Sequence, residues 1–158
     1  MPKPGKPIPD GYHTLTPYLC FTDTRKAIAF YQSAFGATEI MVMPDPKGKV
    51  MHAEMQFGNS RLMLGDEVPQ MNAFSADHYK GSPASLMVYV DDVDAAFGKA
   101  VKAGAKVIMP PMDMFWGDRM AKLADPFGYE WAIATHKLDL SPEEMKDAAC
   151  KAMSQSPA

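Results

Sequence analysis

Two groups of residues have the types and spacing needed for chemistry on a small molecule, and the first is His52 with Glu54. They are two residues apart in the alternating segment Val50–Phe57, so in a strand both side chains lie on one face. A histidine beside a carboxylate on one face can orient a base or bind a polar ligand. In the alternative interpretation this is the solvated face of an edge strand, and the sequence leaves both open.

The second group is the segment Phe115-Trp116-Gly117-Asp118-Arg119. An aromatic pair followed by glycine and an acid–base pair suits a loop that closes over a ligand. Asp118 is therefore a catalytic candidate together with the first pair. In the alternative interpretation, the tryptophan packs against a second copy of the chain and the acid–base pair is an ordinary ion pair.

The remaining histidines and the other tryptophan are assigned structural places. We expect His13, His78 and His136 on the surface and Trp131 in the core. The 14 methionines favour plastic filling of a core, and an adaptable apolar pocket is the alternative.

Composition limits the possible partners and locations. The chain has 158 residues, a net charge of −3 and 47% hydrophobic residues, which does not suggest a nucleic-acid or anionic-membrane partner. No apolar run approaches the roughly 20 residues that span a bilayer, and the first residues lack the apolar core of a signal peptide. Two cysteines provide no disulfide framework, so we expect the reducing cytoplasm.

The elements that position these residues show an internal repeat. The segment Val90–Ala105 has the plan of a strand end, an acidic cap, an amphipathic helix and a Gly-Ala stop. The segment Phe21–Ala37 has the same plan, with Asp23 answering Asp91 at an offset of 68 residues (91 minus 23). A constant offset indicates one structural unit built twice. The apolar stripes of the two helices are out of phase under this offset. Either the two helices are rotated differently, or the equivalence of the two segments slips by one residue.

Hydrophobic periodicity and turn residues predict the order β-α-β-β-β twice. The predicted strands are His13–Phe21, Thr38–Met43, Val50–Phe57, Ser60–Asp66, Ser85–Asp91, Lys106–Met109, Asp118–Ala124 and Tyr129–Thr135. Helices are expected from about Thr24 and Asp92, and a loop over Pro110–Gly117. A third helix opens with Ser141 as cap, Pro142 at the first position and Glu144 completing a capping box.

The predicted organisation has five parts. An extended Pro-rich arm covers residues 1–12, the first βαβββ module 13–66, a linker 67–84 and the second module 85–136. The C-terminal helix and tail cover residues 137–158.

Several motifs together resemble one known family. They are AIAFYQSAFGA (27–37), HAEMQFGNSRLML (52–64), YVDDVDAAF (89–97), FWGDRMAKLADPFGYEW (115–131) and ATHK (134–137). With the tandem βαβββ order they resemble the vicinal oxygen chelate superfamily, which includes glyoxalase I, extradiol dioxygenases and bleomycin-resistance proteins, and its PhnB-like subgroup in particular. The resemblance implies an α+β fold in which two modules form a U-shaped mixed sheet around a concave cavity. It also implies a homodimer.

The resemblance implies a metal site whose positions this chain fills with other residues. Enzymes of the superfamily usually hold a divalent metal with His and Glu. The corresponding positions here are Thr16, Leu62 or Met63, Ser85 and Ala132. None is a strong ligand for a transition metal, so we expect no metal at this site and no cofactor.

Strand parity predicts which residues would line the cavity. If Thr16 and Ser85 point inward, so do Tyr18, Met87 and Tyr89. Together with His52 and Glu54 these residues are expected to line one cavity, with Trp116 at its mouth.

Three functions fit these features. The first is a metal-independent binder of a small molecule. The second is an enzyme of lyase, isomerase or oxygenase type that acts on a small carbonyl or electrophilic compound with His52 and Glu54 as acid–base groups. The third is a protein whose dimer surface matters more than its cavity.

Overall fold

The computed structural model describes residues 5–155 of the chain. Residues 1–4 of the predicted arm and 156–158 of the predicted tail lie outside the described residues. The chain divides into two compact units, with the boundary between Ser82 and Pro83.

The first unit contains one helix and four strands. They are β1 (Tyr18–Phe21), α1 (Thr24–Phe35), β2 (Thr38–Pro44), β3 (Val50–Phe57) and β4 (Ser60–Asp66), followed by a short 3₁₀ helix, Pro69–Met71. The sheet order is β1-β4-β3-β2. The pair β1–β4 is parallel and the other two pairs are antiparallel.

The second unit repeats this arrangement and adds a helix. Its elements are β5 (Ser85–Tyr89), α2 (Val93–Ala103), β6 (Lys106–Asp113), β7 (Asp118–Ala124), β8 (Glu130–His136) and α3 (Pro142–Gln155). The sheet order is β5-β8-β7-β6, again with a parallel first pair and antiparallel pairs after it. The predicted α+β class with two βαβββ modules is confirmed.

The core of each unit lies between its helix and one face of its sheet. In the first unit Met55 and Leu64 are fully buried beside Tyr31 of α1, and the ring centroid of Tyr31 lies 5.7 Å from that of Phe57. In the second unit the helix-facing side chains are Leu123, Trp131 and Ile133, with Val93 and Ala100 of α2. From Ala53 to Gln56, β3 alternates buried and partly exposed residues, as the period of two in a strand predicts, whereas residues 131–135 of β8 are all buried.

The caps of α1 and α2 explain why the two helical stripes are out of phase. Asp23 caps α1 through the amide of Lys26, whereas Asp92 caps α2 through the amide of Ala95. The equivalence of Asp23 with Asp91 was therefore wrong, and the offset of the caps is 69 residues (92 minus 23). Both helices end before a glycine, Gly36 and Gly104, that is 68 residues from its counterpart. Thus α2 is one residue shorter, and the one-residue slip is the correct alternative.

Proline explains the two largest errors in the predicted strands. The predicted strand His13–Phe21 begins only at Tyr18, because Pro17 has no amide hydrogen and the hydroxyl of Thr16 donates to the carbonyl of His13. Conversely, β6 continues to Asp113, where a loop from Pro110 was expected. Its position at the edge of the sheet and a register shift between Met109 and Met112 provide the places in which a sheet tolerates proline. Other ends differ by one or two residues.

The third helix begins as predicted. The amide of Ser141 donates to Glu144 Oε2 at 2.9 Å, and the amide of Glu144 donates to Ser141 Oγ at 3.3 Å. These reciprocal bonds form the expected capping box. Over residues 5–155, every helix is too short or too polar to cross a bilayer.

Candidate functional site

The first unit brings Tyr18, His52 and Glu54 together on the sheet face opposite α1. Tyr18 and Glu54 both lie beside Met63 in the registers of β1–β4 and β3–β4. The hydroxyl of Tyr18 is 3.4 Å from His52 Nδ1, and His52 Nε2 is 3.3 Å from Glu54 Oε1. Parity thus placed these three side chains correctly relative to one another.

Gly65 provides the room in which Tyr18 reaches His52. A methyl group at position 65 would lie 2.7 Å from the Tyr18 hydroxyl and 3.2 Å from the carbonyl oxygen of Met51. Any side chain there would push the phenol away from the imidazole. The glycine is therefore part of the geometry of the Tyr18–His52–Glu54 row.

Two residues outside the predicted set complete this polar face. Arg61 Nη1 lies 4.0 Å from Glu54 Oε2, and the guanidinium carbon is 5.6 Å from the centre of the Tyr12 ring. Arg61 Nε and Nη1 and the Tyr12 hydroxyl are buried without a hydrogen bond of normal geometry to the residues that the structure describes. The pairing of Arg61 with Gln56 across the Gly58–Asn59 turn was the sequence signal for the arginine. The packing of Tyr12 from the arm had none.

The charges on this face favour an ionised Glu54. Partial burial raises the pKa of Glu54, but its interactions with Tyr12, His52 and Arg61 outweigh burial and hold the pKa below the usual range. Burial and the nearby Glu54 carboxylate raise the pKa of Tyr12 to about 12. Burial also raises the pKa of Tyr18. At neutral pH the face therefore presents a carboxylate and two phenol groups beside the ring of His52.

In the second unit, the buried carboxylate of Asp118 joins three side chains. Asp118 Oδ2 accepts from the Tyr89 hydroxyl and from Trp116 Nε1, both at 3.1 Å, and Oδ1 lies 2.7 Å from His136 Nδ1. Asp118 is only 4% exposed. Burial raises its pKa, but the three hydrogen bonds outweigh burial and keep the pKa below the usual range. The carboxylate is thus ionised, and its burial prevents direct contact with a ligand.

The acid–base pair of the sequence does not form between neighbours. Arg119 forms a two-bond ion pair with Asp94 of α2, at 2.7 and 2.9 Å, and a further bond to Asp113 at 3.2 Å. The interpretation of Asp118 with Arg119 as an ion pair is wrong, because adjacent residues of β7 point to opposite faces of the sheet.

His136 is the functional residue that sequence reasoning missed. It was assigned to the surface, and 51% of its side chain is indeed exposed. However, its Nδ1 faces the buried Asp118, and its Nε2 lies 2.9 Å from the exposed Asp139. These two hydrogen bonds raise the pKa of His136. The signal was available in the hairpin, since a turn centred on Phe127 places positions 118 and 136 opposite each other.

The remaining residues of the predicted set lie on the face of the second sheet opposite α2. Met87 pairs with Ala132 and Tyr89 with Ala134 in the parallel ladder. Trp116 packs against a buried cluster on the same face, formed by Met120, Ala132 and Ala134, together with Met109 and Met114. That the residues from both units line one cavity remains a prediction.

The residues at the family's metal positions do not suit a metal. The hydroxyl of Thr16 already donates a hydrogen bond to the carbonyl of His13. Leu62 is 3% exposed and lies in the core between the sheet and the helix. Met63, Ser85 and Ala132 offer no carboxylate or imidazole. In residues 5–155, no three His, Cys, Asp or Glu side chains converge as metal ligands would.

The tandem βαβββ units and the sheet orders define the class of protein. The family model of the Glyoxalase/Bleomycin resistance protein/Dioxygenase superfamily matches residues 12–133. The chain belongs to this superfamily.

Individual relatives agree with this assignment. The uncharacterized protein Mb0911c of Mycobacterium bovis is 37% identical over 137 residues, which cover 85% of this chain and 90% of that protein. The crystal structure of TioX from Micromonospora sp. ML1 superposes with a TM-score of 0.62 at 26% identity, covering 78% of this chain and 98% of TioX.

A third likeness concerns the fold alone. A putative 3-demethylubiquinone-9 3-methyltransferase, PhnB protein, from Bacillus cereus has a TM-score of 0.59 at 18% identity. It covers 78% of this chain and 99% of its own. Homodimer formation and a cytoplasmic location remain predictions.

Proposed function

We propose that the chain binds a small organic molecule on the α1-opposite face of its first sheet, and that binding needs no metal. The observation that carries the proposal is the row of Tyr18, His52 and Glu54, whose polar atoms lie within 3.4 Å of their neighbours on an accessible face. The lack of strong ligands at the family's metal positions supports the metal-independent part of the proposal.

The exposure and chemistry of the row define the kind of ligand. Tyr18 is 48% exposed, and the side chains of His52 and Glu54 are 25% and 16% exposed. The hydroxyl and the imidazole can each donate and accept, whereas the ionised carboxylate only accepts. The contacts of 3.3 and 3.4 Å are long, so a better partner can displace them. A neutral planar compound with both donors and acceptors suits this face best.

We also propose that such a compound makes apolar contacts with Met87, Tyr89 and Trp116 on the α2-opposite face of the second sheet. These residues offer a flexible thioether and two aromatic rings for stacking. Met87 and Tyr89 are 47% and 61% exposed. Trp116 can report binding through its fluorescence.

The test uses 3-hydroxybenzamide, a neutral planar probe with a hydroxyl and an amide. Two-dimensional NMR of the full chain should show the largest shift changes at Tyr18, His52 and Glu54, with and without a chelator. Tyr18→Phe and His52→Gln should each weaken binding about three- to tenfold, the effect of one lost hydrogen bond. His13→Gln, a substitution at an exposed histidine, is the matched control and should bind normally.

Trp116→Ala tests the apolar part of the proposal. It should weaken binding of the same probe by roughly 1–3 kcal/mol, the contribution of one well-buried aromatic contact. Shift changes confined to other residues, or binding that appears only after a divalent metal is added, would contradict the proposed function.

The His52–Glu54 contact also favours a second candidate, acid–base catalysis on a small carbonyl compound. A base beside a carboxylate can remove a proton from the carbon next to a carbonyl, and solvent then returns a proton to that carbon. Hydroxyacetone in D₂O would report this as deuterium incorporation. His52→Gln should reduce the exchange at least a hundredfold, as expected when a general base is removed. Equal exchange in native chain and variant would exclude this candidate.

A further inference from the structure

The end of β8 holds a histidine between a buried and an exposed carboxylate. His136 Nδ1 is 2.7 Å from Asp118 Oδ1, and Nε2 is 2.9 Å from Asp139 Oδ1. The side chain of Asp118 is 4% exposed, whereas that of Asp139 is fully exposed. The two ring nitrogens therefore have different environments.

Asp118 determines which nitrogen carries the proton when His136 is neutral. Its carboxylate accepts hydrogen bonds from Tyr89 and Trp116 on one oxygen, and it has no proton to donate to the imidazole. His136 must consequently donate through Nδ1, which leaves the lone pair on Nε2. Since an exposed ion pair is weak, Asp139 can leave Nε2 at little cost.

The structure shows space for a ligand beside this histidine. An open depression of about 540 Å³ is lined by Tyr89, Val90, Asp91, Thr135 and His136. Its position follows from the parallel pairing of β5 with β8, because the carboxyl ends of both strands lie at the same end of the sheet. Thr135 holds the two strands together there by donating to the carbonyl of Val90 at 2.9 Å.

The charges around the depression select the ligand. Two carboxylates, those of Asp118 and Asp139, contact the imidazole, and a third, that of Asp91, lines the same depression. An anion would be repelled, whereas a neutral or cationic compound would not be. The exposed ring of Tyr89 offers a surface on which such a compound can stack.

We propose that His136, oriented by Asp118, is the proton-accepting group of a second small-molecule site, which takes neutral or cationic compounds that carry an ionisable O–H or N–H group. The proton moves from the compound to Nε2 and returns to the product or to solvent. Asp118 is a positioning residue because it is buried and acts through His136. This site shares Tyr89 with the proposed function but uses none of its Tyr18, His52 and Glu54 side chains.

The neutral ester p-nitrophenyl acetate is a probe for an accessible imidazole. Nε2 attacks the acetyl carbon, the carbon–oxygen bond to p-nitrophenolate breaks, and water then hydrolyses the acetyl-imidazole to acetate and free histidine. The full chain should carry Cys150→Ser, since Cys150 is exposed and would react as well. The initial release of p-nitrophenolate is measured between pH 5 and pH 9.

The expected results separate His136 from the other histidines. In this background His136→Gln should reduce the rate at least tenfold, whereas His13→Gln and His78→Gln, at two exposed histidines, should leave it unchanged. Asp139→Asn should not reduce the rate at pH 8.5. Phosphate should not inhibit at constant ionic strength. Loss of the rate in His78→Gln instead of His136→Gln would overturn the inference while leaving the proposed function intact, and inhibition by phosphate would overturn the assigned charge of the ligand.

The pH profile tests the positioning role of Asp118. The groups that face His136 are Asp118 of β7, Asp139 beyond β8 and, through Asp118, the hydroxyl of Tyr89 of β5. The two carboxylates raise the pKa of His136, so the rate should rise with pH through an inflection above the usual histidine range. Asp118→Asn should move that inflection to lower pH, whereas a merely structural role would lower the rate without moving it.

A readout on the native chain remains decisive if Asp118→Asn fails to fold. Nitrogen-15 NMR of the four histidines above pH 9 should show His136 with its proton on Nδ1. A proton on Nε2 would mean that Asp118 does not orient the ring, and the inference would be wrong.

Discussion

The two sheets have the same strand order, but their helix-opposite faces differ in chemistry. In the first unit this face carries an interacting polar row, Tyr18, His52 and Glu54. In the second unit the corresponding face carries a buried apolar cluster of Met120, Ala132 and Ala134, with Lys122 beside it and Asp118 and His136 at the strand ends. One face suits a polar ligand and the other an apolar one.

The helix-facing sides of the two units are much more alike. The first amide of α1, that of Thr24, donates to Asp66 Oδ1 at 2.8 Å, and the first amide of α2, that of Val93, donates to Thr135 Oγ1 at 2.9 Å. Each acceptor lies at or near the end of its unit's last strand, 69 residues from its counterpart (135 minus 66). Packing against a helix constrains one face of each sheet, and the other face is free to acquire different functions.

The largest expected effect tests the shared helix-facing core. Leu64 and Ile133 are both fully buried and lie 69 residues apart (133 minus 64). Leu64→Ala and Ile133→Ala should each lower the free energy of unfolding by roughly 2–5 kcal/mol, since each leaves a cavity. Urea denaturation measures both, and Met63→Ala, on the partly exposed opposite face of β4, should cost less than half as much. A small loss in only one unit would show that the two cores are not equivalent.

Gly48 and Gly117 sharpen the comparison, because they occupy equivalent turns with different surroundings. Their φ angles are +86° and +99°, a region that glycine adopts readily. A methyl group at position 117 would collide with the carbonyl oxygen of Leu138, whereas nothing lies near position 48. Gly117→Ala should therefore cost roughly 3 kcal/mol or more, and Gly48→Ala roughly 1 kcal/mol.

Thermal and urea denaturation of both glycine variants provide the check. The carbonyl of Gly117 also accepts from the amides of Lys137 and Leu138, so the variant should loosen the segment that leads to Asp139. Equal losses for the two variants would mean that the turns have the same environment, contrary to the structure.

The polarity of the first face can be tested through Glu54. Glu54→Gln removes the charge that faces Arg61 and His52 and should lower the free energy of unfolding by roughly 1–3 kcal/mol at pH 7. In the folded chain the pKa of Glu54 is held below its usual range. The stabilisation is therefore fully present above the pKa that Glu54 has in the unfolded chain, about 4.3. It is lost as pH falls through the lower pKa of the folded state.

Denaturation of Glu54→Gln at pH 7, 4 and 3 should show this trend, with the difference from the native chain largest at pH 7 and smallest at pH 3. The matched control is Glu39→Gln on the exposed β2, which should change stability by less than about 0.5 kcal/mol. A deficit in Glu54→Gln that is independent of pH would contradict the role of the charge.

Much of the fold follows from local pattern. The ends of β3, β4 and β7 were predicted to the residue, because each is an alternating run bounded by turn residues. Strand ends near Pro17 and Pro110 were wrong, because whether a proline ends a strand depends on its position in the sheet. The sequence shows the proline but not the edge.

The candidate site was predictable where neighbours share a strand. His52 and Glu54 are two residues apart, so parity alone brings them together. Asp118 and His136 come together only through the register of the β7–β8 hairpin. Tyr12 reaches Arg61 through the path of an irregular arm, for which the sequence contains no periodic signal.

The smallest expected effect concerns the two equivalent helices. Gly98 lies inside α2, 69 residues after Ala29 of α1 (98 minus 29). A methyl group at position 98 would meet no atom within 4 Å, and both positions are exposed. Gly98→Ala should therefore raise the free energy of unfolding by roughly 0.5–1 kcal/mol, because alanine loses less backbone entropy than glycine in a helix. Ala29→Gly should lower it by a similar amount.

Urea denaturation of the single variants and of the double variant should show opposite and additive changes, since the residues belong to different units. If Gly98→Ala destabilises the chain, another group must pack closely against α2 at position 98, contrary to the structure. The equivalence of α1 and α2 would then not extend to their exposed faces.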